Sequence, residues 1–140
     1  MTSKQITVFI ENRKGRLGEI LNVLKTNGVN IISMSLADTS EYGLLRIIAD
    51  EPQAGKTALT NAGFSCMLTD VFILQVPHTP GALHNILQTI ADEELSVEYM
   101  YGLSAAGEEA SIVVKTSDAN KAATVFEKHG IVTLDGIAHI

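Results

Sequence analysis

Thiol chemistry is nearly missing from this chain: Cys66 is its single cysteine. No intrachain disulfide can form and no thiolate cage can hold a metal, so a reducing compartment is the default. Basic charge is also scarce, with 10 Lys and Arg against 16 Asp and Glu, a net charge of −6 and a pI near 5.1. That balance argues against nucleic acid and against an anionic membrane surface as partners. Only Arg13, Lys14 and Arg16 cluster. No apolar window approaches the length needed to cross a bilayer. The opening Met1-Thr2-Ser3-Lys4-Gln5 leads into a strand-like segment without the apolar core of a signal peptide, which sets cytoplasmic location as the expectation.

Catalytic signatures are lacking as well. There is no H-E-x-x-H, no G-x-S-x-G, no phosphate loop and no nucleophile with an evident base. The pairs Glu93-Glu94 and Glu108-Glu109 fall at an expected helix end and turn, where solvated charge is the ordinary outcome. His78, His84, His129 and His139 are scattered, so no metal site, cofactor or catalytic residue is expected.

What the chain does have is a repeat. The stretch Ile10-Glu11-Asn12-Arg13-Lys14-Gly15-Arg16-Leu17-Gly18-Glu19-Ile20-Leu21 shares its plan with Val76-Pro77-His78-Thr79-Pro80-Gly81-Ala82-Leu83-His84-Asn85-Ile86-Leu87. Setting Gly15 on Gly81 also sets Leu17 on Leu83, Ile20 on Ile86 and Leu24 on Ile90. In both copies an apolar β-rich run breaks at a glycine-containing loop and an amphipathic helix follows. Such a junction presents free N–H groups at the positive end of a helix dipole, a ready place for a carboxylate.

Within the first copy, Ile6–Ile10 reads as a strand. Leu17, Ile20, Leu21 and Leu24 share a helical face that ends at Asn27-Gly28. Ile31–Leu36 and Leu44–Ile48 flank the polar turn Asp38–Gly43 as a hairpin. A short helix from Gln53 to Ala62 should then bury Ala54, Ala58 and Leu59, and Phe64–Leu68 closes the unit as a strand. The second copy offers a strand over Val71–Val76 and a helix from about Gly81 to Glu93. Strands at Val97–Tyr101 and Ala110–Lys115 follow around a turn from Gly102 to Glu109, which is one residue longer than its counterpart. A helix over Ala119–His129 and a strand over Ile131–Leu134 complete the copy. Tyr99 and Tyr101 alternate with Met100 and share a sheet face, suited to a pocket or an interface.

Each copy therefore has the βαββαβ order of a ferredoxin-like unit. The fold class is α+β: two tandem units, residues 1–70 and 71–140, each an antiparallel sheet with its helices on one face. Units of this size have modest cores, which makes a homodimer the expectation. The fold alone settles no function. A metal-chaperone version would need Cys-x-x-Cys in the first loop. An RNA-binding version would need aromatics on the central strands, where Leu45, Ile47, Val113 and Val114 stand instead.

The two loops, Asn12-Arg13-Lys14-Gly15-Arg16-Leu17 and His78-Thr79-Pro80-Gly81-Ala82-Leu83, resemble the first loop of the ACT-domain family, commonly Asp or Asn, any residue, Pro, Gly, any residue, Leu. The resemblance spans essentially the whole chain as two copies. It implies regulation of amino-acid metabolism by a small ligand, usually an amino acid, held at the loop and the start of the first helix, commonly at an interface with the second strand of a neighbouring unit. It thereby marks Asn12, Arg13, Lys14, Gly15, Arg16 and Leu17, with His78, Thr79, Pro80, Gly81, Ala82 and Leu83, as ligand-binding residues. Lys14 departs from the family's proline and His78 from its Asp or Asn. Gly15 and Gly81 equally suit a plain strand-to-helix turn. The alternative to a sensor is a non-catalytic accessory chain that regulates a biosynthetic enzyme by contact alone.

Overall fold

The computed structural model describes residues 1–11, 13–38 and 41–135; Asn12, Thr39, Ser40 and His139 lie outside the described residues. The elements run β1 (Ser3–Glu11), α1 (Arg16–Thr26), β2 (Ile31–Asp38), β3 (Tyr42–Ala49), α2 (Pro52–Asn61), β4 (Ser65–Pro77), α3 (Ala82–Asp92), β5 (Val97–Ala106), β6 (Glu109–Thr116), α4 (Ala119–Lys128) and β7 (Val132–Leu134). The chain divides into two compact units, one of Lys4–Thr69 and one of Asp70–Ile140 with Met1–Ser3.

In the first unit the strand order is β2-β3-β1-β4, the antiparallel ferredoxin-like arrangement expected from the repeat. The alternation of β1 turns Ile6, Val8 and Ile10 to one face, where their register partners Ile47 and Leu45 are equally sealed. Ile20 and Leu24 of α1 and Leu59 of α2 close over that face and complete the core. Thr7 lies on the opposite face of β1, where its hydroxyl meets that of Thr69 at 2.8 Å.

α2 buries Gly55 and Leu59, with Ala54 left exposed, so the apolar face differs from the one expected around Ala54. The reason is distance. A Cβ on Gly55 would lie 2.7 Å from Ile6 Cδ1 and 3.3 Å from Leu24 Cδ2, so the helix approaches β1 and α1 through a position that has no side chain.

The second unit repeats the plan with β5-β6-β4-β7. Phe72 and Phe126 meet edge to face at 5.0 Å, with Leu74, Val114 and Ile90 around them. Two boundaries differ from expectation. The two strands anticipated on either side of Thr69-Asp70 form one continuous β4, because no glycine or proline interrupts them. The β5–β6 strands also extend into the anticipated turn and leave only Gly107-Glu108 between them. Gly107 at φ 65° allows the tight reversal, and a register shift between Gly102 and Ser104 absorbs the extra residue.

The ends of α3 and α4 are tied by charge. The Glu93 carboxylate, at the C-cap of α3, pairs with His129 Nε2 at 2.9 Å and accepts from Lys128 Nζ at 3.0 Å. The hydrogen bond to His129, then that from Lys128, holds the Glu93 carboxyl below its usual value of 4.5, against a smaller opposing desolvation.

Two outcomes follow. Gly55→Val is expected to lower unfolding free energy by about 1–3 kcal/mol in chemical denaturation, since the added carbons enter a filled contact. A depressed folded pKa means that the Glu93 contribution is present above pH 4.5 and is lost as the pH falls through the lower folded value. The melting temperature of Glu93→Gln should therefore lie below the parent's above pH 4.5 and converge on it as the pH falls further; a gap that persists into acid would contradict the tie.

Candidate functional site

The first junction is built by a sharp change of backbone. β1 ends at Glu11, and the chain turns through hydrogen bonds from Arg13 N–H to the Glu11 carbonyl at 2.7 Å and from Arg16 N–H to the Arg13 carbonyl at 3.2 Å. It enters α1 at Gly15, whose φ of 85° is a left-handed conformation that suits glycine. Among the described residues no side chain caps this helix, so the N–H groups of Leu17 and Gly18 are left for water or a ligand.

Those groups border a pocket of about 370 Å³ within the first unit. Gly15, Leu17 and Gly18 form its helix side, Ile10, Glu11 and Arg13 its strand and loop side, and Leu36 and Gly43 its hairpin side. Glu11 and Arg13 face each other at 3.7 Å and are both well exposed, so a ligand can compete for either. The pocket therefore combines apolar walls, one carboxylate, one guanidinium and open backbone donors. That set complements a small zwitterion with an apolar body.

Of the residues expected at this loop, Arg13, Gly15 and Leu17 line the pocket; Lys14 is exposed and does not. Arg16 turns elsewhere: its guanidinium stacks 4.1 Å from the Phe64 ring centroid and its Nη1 donates to Glu19 Oε2 at 2.7 Å. These contacts occupy the charge that loop position alone suggested for a ligand. Five lining residues lie beyond the expected loop set: Ile10, Glu11, Gly18, Leu36 and Gly43. Gly18 breaks the helical pattern at a position with open space around it, which was a readable signal. Leu36 and Gly43 arrive only through strand register, since Gly43 pairs with Ile10.

The second loop has nearly the same backbone. Thr79 N–H donates to the Pro77 carbonyl at 2.9 Å, Ala82 N–H to the Thr79 carbonyl at 3.3 Å, and Gly81 has φ 87°. His78 N–H donates to the Glu108 carbonyl at 2.7 Å, while its side chain, like those of Thr79 and Pro80, is exposed. Ala82 is half-buried and packs against the core, and Leu83 is half-buried. Among the described residues, no group of three or more His, Cys, Asp or Glu is placed to hold a metal ion.

Fold, repeat and junction together define a pair of ferredoxin-like units, each with a glycine-led loop before its first helix. The family model of the ACT domain pair matches residues 1–135, and the chain belongs to that family. A protein of known crystal structure from Bacteroides thetaiotaomicron is 32% identical, with a TM-score of 0.90 over 96% of this chain and 92% of that one. The ligand-free regulatory subunit of aspartate kinase from Thermus thermophilus superposes with a TM-score of 0.66 at 14% identity, covering 91% and 90% of the two chains. Its counterpart from Thermus flavus gives 0.61 at 16% identity, covering 89% and 90%. At those identities the two kinase subunits share the fold. No curated protein matches the chain. Among the described residues, no helix is long and apolar enough to cross a membrane.

Proposed function

We propose that this protein is an amino-acid sensor that works by ligand-dependent coupling in amino-acid metabolism, without catalysing a reaction, as a homodimer in the cytoplasm. The observation that carries the reading is the pocket at the Gly15 junction, where open helix-start N–H groups, Arg13 and Glu11 surround a space walled by Ile10, Leu17 and Leu36. Backbone donors with Arg13 take the α-carboxylate, Glu11 takes the α-ammonium, and the apolar wall takes an aliphatic side chain. Leu36 is 52% exposed on the edge strand β2, so a second copy can close the open side of the pocket. Ligand held there favours the arrangement that makes the extra contacts, and this difference in affinity is the source of a switch. The regulated partner is an enzyme of amino-acid metabolism, a reading supported by family membership and by the fold shared with the kinase regulatory subunits.

A second reading, an accessory chain that regulates an enzyme by contact alone, is favoured by the exposed Phe9, Tyr42 and Met67, all on strands of the first unit.

A thermal-shift screen against the proteinogenic amino acids separates the two readings. A ligand at about a hundred times its dissociation constant adds roughly 2.7 kcal/mol of apparent stability. One or a few amino acids should raise the melting temperature; a flat screen supports the contact reading. Arg13→Glu should weaken the binding about 10- to 100-fold, the loss of one charge-assisted bond. The melting temperature of the free protein should hardly change, because Arg13 is exposed.

A further inference from the structure

The two loops share a backbone, but the residues brought against them differ. Register fixes the correspondence. Gly43 lies opposite Ile10 in the first unit, and Ala110 opposite Val76 in the second. Leu36 lies opposite Leu45, and Gly102 opposite Ile112. One turn into the helix, Gly18 corresponds to His84.

Each exchange removes part of the pocket. A Cβ on Gly43 would sit 3.4 Å from Leu36 Cδ1 and from the Ala37 carbonyl, at the pocket's hairpin side, so glycine keeps that space open. Ala110 places a methyl group there. Gly102 supplies no side chain where Leu36 forms a wall, and the register shift that follows it breaks the strand edge at that level. His84 sets an imidazole where Gly18 leaves the helix surface bare. The charge pair disappears as well, because Pro77 and Thr79 stand in place of Glu11 and Arg13.

We infer that each chain has one working ligand site, in the first unit, and that Gly18, Leu36 and Gly43 are its specificity-determining residues. The Gly81 loop keeps the fold of the junction and binds no amino acid. This inference rests on the sensor reading above and deepens it. The sequence pattern ranks the loops in the opposite order, since Thr79-Pro80-Gly81 is the nearer match to the family's first loop.

Isothermal titration of the full chain with each proteinogenic amino acid tests it. The expected result is one ligand per chain. Gly43→Ala and Gly18→His should each weaken binding by about tenfold or more. Both variants should fold: the first adds a carbon at ordinary contact distance, and the second lies on a helix surface with nothing within 4 Å of the new Cβ. His78→Ala should bind as the parent does. Two ligands per chain, or His78→Ala losing affinity while Gly43→Ala and Gly18→His keep it, would overturn the one-site inference and leave the sensor reading standing. No binding of any amino acid by the parent would overturn the sensor reading, and the one-site inference with it.

Discussion

The structure depends on a backbone reversal at Gly15. A strand sealed on one face by Ile6, Val8 and Ile10 must hand over, within a few residues, to a helix sealed by Ile20 and Leu24, and both must reach the same core. A positive φ at the residue before the helix meets that demand, and glycine adopts it without the strain that a Cβ brings. Because glycine has no side chain to cap the helix, the same solution leaves backbone donors uncapped at the positive end of the dipole. The open backbone donors at the junction are thus a by-product of how the unit packs. They recur wherever the turn recurs.

That is why the same turn need not mean the same site. The Gly81 junction meets an equivalent packing demand, and its backbone follows the same hydrogen-bond pattern. The pocket of the first unit owes its space and walls to residues distant in the chain, Leu36 and Gly43, which the hairpin register carries to Ile10. Duplication preserves what the core requires, while hairpin and helix-surface positions are free to differ.

Periodicity and glycine placement made the element order, the repeat and the α+β class legible from the sequence, because they follow from which residues can share a buried face. The single β4 was less visible: Thr69-Asp70 is polar enough to suggest a boundary, yet nothing in it prevents extended backbone. The burial of Gly55 was hidden for a related reason, since a contact made through a missing side chain leaves no apolar mark. At the site, loop residues such as Arg13 and Leu17 could be named from the motif. The diversion of Arg16 to Phe64 and Glu19 depends on tertiary neighbours, as does the arrival of Leu36 and Gly43.

The most direct test of the account is a crystal structure of the protein grown with the amino acid that stabilises it most. The ligand's carboxylate should lie at the start of α1, against the N–H groups of Leu17 and Gly18, with its side chain between Ile10 and Leu36. An amino acid seated at the Gly81 loop, or bound away from both junctions, would contradict it.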